Sequence, residues 1–182
     1  NPYYRNPVKE IKQELEKQPG VLSVSYTGDS PLNVSSDTSD PRWRGKKSDE
    51  TFSIPYLQVD HDFCETFNVN IIAGRDFSEE YSTDHNTIII NERFASIMGF
   101  ENPVGEIVDY WGRKATIIGV VKDFHSNSLH YPIRPFLFRI YKPWHSYIFI
   151  RVNSNMISDA LKSIETDFQK YAPEYPFNFE FL

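Results

Sequence analysis

The sequence predicts an α+β fold of two lobes, and the order of its elements carries that prediction. The chain opens with a helix and a strand and closes with strand, helix and strand, whereas its middle reads as strands with two short helices. A length of 182 residues suits one domain, or one domain with a large insertion. We therefore expect a terminal α/β lobe from residues 1–27 and 142–182, with a mostly β lobe, residues 28–141, inserted between its halves.

The first helix is predicted over residues 7–18, where apolar side chains recur at helical spacing. Asn6 is the expected N-cap, Pro7 suits the first helical position, and Pro19 stops the helix. A strand follows over residues 21–27, in which apolar residues and serines alternate, so we expect one of its faces to contact solvent. The apolar positions of the helix and the strand are Val8, Ile11, Leu15, Leu22, Val24 and Tyr26.

The second long helix is the clearest element of the sequence, in the segment "NMISDALKSIETDFQKYA". Its apolar residues recur at spacings of three and four and form a single stripe. Pro173 stops this helix, and "FNFEFL", residues 177–182, reads as a final strand. The stripe consists of Ile157, Ala160, Leu161, Ile164, Phe168 and Tyr171.

The middle of the chain holds the two short helices and most of the predicted strands. Asp60 is the expected N-cap of the first short helix, and Asn91 caps the second, which Gly99 ends. "GEIVDYWG" and "KATIIGVV" predict a hairpin around Gly112-Arg113. Residues 28–50 are turn formers and charges with little periodicity, which indicates an inserted or mobile segment.

The composition excludes several classes of protein. Hydrophobic residues make up 40% of the chain and aromatic residues 15%, which is typical of a folded protein and not of a disordered one. The net charge of −6, with no run of like charges, argues against a surface that tracks nucleic-acid phosphates. Cys64 is the single cysteine, so an internal disulfide and a cysteine-rich zinc site are both excluded. No stretch approaches the roughly 18 apolar residues that a membrane span needs.

Asp123, His125 and His130 follow a β-branched run and could offer an oxygen and two imidazoles to a metal ion. The spacing does not match a helical HExxH motif, and an aspartate directly after a strand more often caps a turn. We therefore expect Asp123 to tie a structured loop, with Gly119 allowing close backbone packing before it.

His61, Asp62 and Cys64 stand close together, and a cysteine with a histidine can support nucleophilic catalysis. The local helical register favours a structural role, in which Phe63 and Phe67 share one face and Cys64 is a small buried hydrophobe.

The glycine segments "AGRDF" and "NPVGE" lack the spacing of phosphate-binding loops, so we interpret them as turns, with a positive φ at Gly74 and a tight bend at Gly105. No nucleophile elbow, paired zinc ligands or kinase motifs occur in the sequence. It therefore predicts no catalytic, cofactor-binding or metal-binding residues. Two aromatic clusters remain as candidate protein-contact surfaces: Trp43 between Arg42 and Arg44, and "YKPWHSY" at residues 141–147. A loop tryptophan is as often a packing plug over its own lobe.

Four segments, in order along nearly the whole chain, resemble the extracytoplasmic core domain of MacB/FtsX-type ABC transporter permeases. These segments are "PGVLSVSYTGDSP", "VDHDFCETFNVNIIAGRDFSEEYSTDHNTIIINERFASIMGFENPVGEIV", "ATIIGVVKDFHSNSLHYPIRP" and "FNFEFL". The resemblance implies a two-lobed domain placed between two transmembrane helices, one before Asn1 and one after Leu182. It also implies a periplasmic location at the cell inner membrane.

By the same resemblance, ATP is hydrolysed in a separate cytoplasmic subunit or domain, and the permease carries the resulting motion outward. The implied partners are the permease's own transmembrane helices, the ABC ATPase, a second permease in a dimer, and a periplasmic adaptor or an export (efflux) cargo. The family contributes no catalytic residues and no cofactor.

Two other hypotheses stay open on the sequence alone. An extracytoplasmic ligand-binding sensor domain would also be flanked by two membrane spans, but signalling sequence would follow it. A metal-dependent hydrolase using Asp123, His125 and His130 would carry bound metal.

Overall fold

A computed structural model describes residues 8–124, 132–140, 147–171, 173 and 176–182. These residues form one mixed β-sheet of ten strands and four α-helices, in agreement with the predicted α+β class. The helices are α1 (Val8–Leu15), α2 (Phe63–Phe67), α3 (Glu92–Met98) and α4 (Ile157–Tyr171). The strands are β1 (Val21–Thr27), β2 (Asp37–Ser39), β3 (Arg42–Trp43), β4 (Ser53–Val59), β5 (Ile71–Gly74), β6 (Thr87–Asn91), β7 (Ile107–Tyr110), β8 (Arg113–Val121), β9 (Leu137–Ile140) and β10 (Tyr147–Val152).

The sheet has apolar layers on both faces. Its strand order is β10-β1-β4-β9-β6-β8-β7-β3, with β2 paired to β4 and β5 to β8. Along β6, Ile89 enters the layer that contains α2, whereas Ile88 and Ile90 enter the layer that contains α3. A strand buried on both faces has an unbroken apolar run, which explains why "TIII" shows no alternation.

Elements from both ends of the chain form a third apolar cluster at the β10–β1 edge of the sheet. Its buried residues are Ile11, Leu15, Val24, Ala160 and Ile164, supplied by α1, β1 and α4. In the described part of the chain, β1 meets β4 through one residue pair, Thr27 and Val59. The terminal elements therefore have their own core but share a sheet with the rest. The division into lobes at residues 27/28 and 141/142 stays a prediction.

The register of β1 differs from the predicted alternation. Val21 pairs with Val152 and Ser23 pairs with Arg151, so Leu22 is an extra residue in a β-bulge. Its side chain is 58% exposed. Ser25 and Thr27 are instead fully buried, and the prediction of a solvent-facing serine side was wrong at Ser25.

Several terminal residues of the predicted elements also need correction. Asp60 is not the N-cap of α2, because Asp62 occupies that position and Asp60 has buried partners elsewhere. The β7–β8 turn is centred on Trp111-Gly112, one residue earlier than predicted, since Tyr110 pairs with Arg113. The final segment, residues 177–182, is not a strand.

The capping predictions for α3 were confirmed. The side chain of Asn91 accepts a hydrogen bond from the Phe94 amide, and Gly99 ends the helix in the left-handed conformation. The predicted positive φ at Gly74 is also present. The described start of α1 is Val8, and the predicted cap at Asn6 and Pro7 lies outside the described residues. Among the described helices, none has the length and apolar character required to cross a bilayer.

Candidate functional site

A buried ion pair connects α1 to the end of β4. The ammonium of Lys12 donates to Asp60 Oδ2 at 2.5 Å and also to Asp62, and the Ser25 hydroxyl donates to Asp60 Oδ1 at 2.6 Å. Asp60 and Ser25 are fully enclosed, and Lys12 is nearly so. This charged junction therefore joins three elements that are distant in sequence: α1, β1 and the segment between β4 and α2.

The ammonium of Lys12 is shared by the carboxylates at this junction. Burial alone would lower the pKa of Lys12, but the carboxylates of Asp60 and Asp62 outweigh burial and raise that pKa above its usual value. A carboxylate oxygen of Glu16, the residue directly after α1, lies 3.8 Å from the Lys12 ammonium, and the pKa of Glu16 is raised mainly by burial. Lys12 is therefore charged at neutral pH, and its removal would leave a buried carboxylate without its counter-charge.

The two terminal helices also contact each other directly. Gln18, just after α1, donates to Asp167 Oδ2 of α4 at 2.5 Å. A β carbon at Gly20 would lie 2.8 Å from the β carbon of Met156, and Gly20 has a φ of +82°. The turn between α1 and β1 thus passes close to the start of α4, and glycine is required there.

Asp123 binds the N-terminus of α3. Its Oδ1 accepts hydrogen bonds from the side chain of Asn91 at 2.9 Å and from the Arg93 amide at 2.8 Å. Its own amide donates to Glu92 at 2.9 Å. The carboxylate therefore satisfies an amide at the positive end of a helix. The predicted structural role is present, but its partners lie about 30 residues earlier in the chain.

An open cavity of about 390 Å³ lies between the tip of the β7–β8 hairpin and β4. The long segment after β1 supplies one wall, Trp111 and Arg113 supply the hairpin side, and Arg139 of β9 belongs to its lining. The other lining residues are Gly28, Asp29, Ser36, Tyr56 and Gln58.

Arg139 is 6% exposed and is surrounded by aromatic rings. Its guanidinium carbon lies 5.6 Å from the ring centre of Tyr56 and 5.9 Å from those of Tyr110 and Trp111. Cation–π attraction stabilises a guanidinium in such surroundings. The pKa of Tyr110 is raised, because its burial outweighs the opposing effects of Arg139 and Arg113.

The predicted site residues have different outcomes. His125 and His130 lie outside the described residues, as do residues 141–146 of the second aromatic cluster.

Cys64 is buried, and burial together with the neighbouring Asp76 carboxylate raises the pKa of its thiol far above the usual value. A thiol that stays protonated is a poor nucleophile, so the structural interpretation of Cys64 is supported. The stacked rings of Phe63 and Phe67, 4.6 Å apart, confirm the predicted face of α2.

Trp43 is a packing residue and not a contact surface. It is buried, and its ring packs against Phe52 at 5.7 Å and Phe94 at 5.5 Å. Its neighbours Arg42 and Arg44 are exposed and pair with Asp40 and Glu106. Within the ranges that the structure describes, no group of three or more metal-ligating side chains comes together.

Sequence reasoning missed Lys12 and Arg139. Each had a visible signal, since Lys12 stands directly after Ile11 beside the apolar face of an amphipathic helix, and Arg139 interrupts the apolar run "FLFRIY". A charged side chain at a position predicted to be buried needs a partner in the folded protein. The spacing of apolar residues does not reveal which distant residue that partner is.

The fold is shared with extracytoplasmic domains of transporters. The periplasmic region of MacB from Actinobacillus actinomycetemcomitans is 18% identical, with a TM-score of 0.63, and the match covers 91% of this chain and 74% of that one. The extracellular domain of the ABC-type transporter YknZ from Gram-positive bacteria is 16% identical, with a TM-score of 0.65 and coverages of 91% and 83%.

A domain assigned to a permease protein from Porphyromonas gingivalis is 20% identical, with a TM-score of 0.60 and coverages of 86% and 72%. A search of curated proteins found no match. Fold and sequence together define the class of extracytoplasmic domains of ABC transporter permeases. Residues 2–166 match the family described as MacB-like periplasmic core domain, and the chain belongs to that family.

Proposed function

We propose that this domain carries motion, driven by ATP hydrolysis in a cytoplasmic ATPase, to an export cargo or a periplasmic partner protein. In this proposal the domain is held at the inner membrane by the transmembrane helices of its own permease, and two permeases act as a dimer. The domain itself performs no chemistry. Its family supports the general role, and the arrangement of its terminal elements supports the mechanical one.

The observation that carries the proposal is the shared core of α1 and α4. Both helices pack on the β10–β1 edge, and Gln18 and Asp167 connect them directly. The buried pair of Lys12 and Asp60 then links α1 to the end of β4. A displacement that enters through either helix therefore moves this edge of the sheet, and the ion pair passes it on to β4.

The same arrangement supports the two predicted lobes as mechanical units. Residues 1–27 with 142–182 would form the lobe that receives the motion, and residues 28–141 the lobe that presents it to a partner. The described contacts between these lobes include the pairing of β1 with β4, the ion pair of Lys12 with Asp60, and the packing of Phe67 on Phe149 at 4.9 Å. A change in the angle between the lobes would rearrange these contacts.

Hydrogen exchange in the complete permease, assembled with its ATPase in lipid nanodiscs, tests this role. We expect a non-hydrolysable ATP analogue to change amide exchange in α1, β1, β10 and α4, while β6, buried on both faces, stays unchanged. An ATPase variant that cannot bind nucleotide is the control. Nucleotide-dependent exchange that is confined to the ATPase would contradict the proposal.

A further inference from the structure

We propose that the cavity at Arg139, Arg113 and Trp111 binds a carboxylate that is attached to a flat apolar group. The inference is independent of the transmission role, and either one can fail without the other. The cavity volume of about 390 Å³ is within the range of small-molecule sites, which is roughly 300–1,000 Å³.

The charge of the lining favours an anion. The described lining contains two basic residues, Arg113 and Arg139, and one acidic residue, Asp29. The carboxylate of Asp29 already accepts hydrogen bonds from the Ser30 amide and from the amide and hydroxyl of Ser35. Two guanidinium groups against one carboxylate make the described lining locally positive on a chain whose net charge is −6. An anion near Arg139 would be in a partly dehydrated, aromatic environment.

The walls favour a flat apolar group beside that anion. The rings of Tyr56 and Trp111 meet edge to face, with their centres 5.2 Å apart. Trp111 lines the cavity, and 46% of its surface is exposed to solvent. An aromatic ring of a ligand could stack on the exposed part of this indole while its carboxylate contacts a guanidinium.

The backbone of Trp111 gives an independent reason to assign a role to this residue. It has a φ of +53° in the two-residue turn between Tyr110 and Arg113. Hairpin turns of this kind favour Asn or Gly at that position, and a tryptophan there is strained. Strain of this sort is retained where a side chain is needed in one place, and this turn holds the indole over the cavity.

The matched probes are N-acetylphenylalanine and its amide, which differ in the carboxylate charge. The chain has three tryptophans, so its ¹⁵N–¹H spectrum contains three indole signals, and Trp111→Phe assigns the one from the cavity. We expect the acid to shift this signal in a saturable way and the amide to bind at least tenfold more weakly. Equal binding of acid and amide, or a shift that does not saturate, would overturn the proposal.

Arg113→Gln and Lys114→Gln form a matched pair of variants. Both remove one positive charge from an exposed, adjacent position of β8, but Arg113 lines the cavity and Lys114 does not. We expect at least a fivefold loss of affinity for N-acetylphenylalanine in Arg113→Gln and less than a twofold change in Lys114→Gln. Equal effects would show that general attraction to the basic surface explains the binding, and the proposed site would be wrong.

A further comparison separates the two sources of such a group. 3-Phenylpropanoate represents a free small acid, whereas N-acetylphenylalanine has the amide of a peptide carboxyl terminus. Tighter binding of N-acetylphenylalanine assigns the cavity to the end of a polypeptide, and equal binding assigns it to a small acid. If the Arg113 variant fails to fold, the comparison of acid and amide on the unaltered chain still decides the proposal.

Discussion

Gly74 and Gly119 face each other in the pairing of β5 with β8, and neither position has room for a β carbon. A β carbon at Gly74 would lie 2.1 Å from the carbonyl oxygen of Ile118, and one at Gly119 would lie 2.4 Å from that of Arg75. Both obstacles are backbone atoms, which cannot rotate away. The two glycines therefore allow the backbones of β5 and β8 to approach this closely.

We predict that Gly74→Ala destabilises the domain more than Gly99→Ala does. Both glycines have a similar positive φ, +74° and +71°, but a β carbon at Gly99 would meet nothing within 4 Å. The left-handed conformation costs alanine about 1 kcal/mol at either site, and the overlap at Gly74 adds roughly 1–3 kcal/mol. Urea unfolding of the two variants measures the difference. Equal losses of stability would show that β5 can move away from β8.

Asp123→Ala is expected to lower the free energy of unfolding by about 2 kcal/mol, because it removes a charged hydrogen-bond acceptor from the N-terminus of α3. Glu101→Ala, which removes an exposed carboxylate, is the control and should leave the unfolding midpoint unchanged. We also expect a chelator to leave the melting temperature of the unaltered chain unchanged. A chelator-sensitive melting temperature would instead support the metal hypothesis for Asp123, His125 and His130.

The elements that the sequence predicts well depend on local spacing. The stripe of α4 and the cap of α3 lie within a few turns of one helix, and both are present. The errors depend on pairing between distant segments. Leu22 is displaced by a bulge that is defined only against Arg151 and Val152, and Asp60 is withdrawn from a capping role by Lys12, 48 residues away.

The residues of the candidate site were also hard to predict where they come from distant segments of the chain. Trp43 and its flanking arginines are residue types typical of a protein-contact surface, but Phe52 and Phe94 pack against the Trp43 ring. The cavity at Arg139 combines residues from the hairpin, β4, β9 and the segment after β1, and no single motif could indicate it. The position of a buried charge among aromatic rings required the fold.

Lys12→Met should destabilise the domain by about 3 kcal/mol, because it leaves Asp60 buried without its counter-charge. Lys17→Met is the control on the same part of the chain, since Lys17 pairs with Glu14 at the exposed surface, and we expect no change in its unfolding midpoint. The double variant Lys12→Met/Asp60→Asn should lose less free energy of unfolding than the two single variants lose in total, because it removes both charges together. Additive losses would show that the two side chains do not interact.

Asp84 gives the domain a component of stability that depends on pH. Arg75 binds its two carboxylate oxygens at 2.8 and 2.7 Å, and the Ser78 amide adds a third hydrogen bond at 2.9 Å. Burial would raise the pKa of Asp84, but these donors outweigh it and lower that pKa below its usual value. The stabilisation is therefore complete above the unfolded-state pKa, about 3.9, and is lost as the pH falls through the lower folded-state pKa.

Asp84→Asn tests this dependence, since asparagine keeps the shape of the side chain and removes its charge. We expect the variant to be about 2 kcal/mol less stable than the unaltered chain at pH 7, because the ion pair with Arg75 is lost. The difference should shrink as the pH is lowered below about 4, because the native carboxylate is increasingly neutralised as the pH approaches its lowered folded-state pKa. Urea midpoints measured across this range, with the exposed Asp49→Asn as control, report the convergence. A difference that stays constant down to pH 2 would mean that packing around Asp84, and not its charge, supplies the stability.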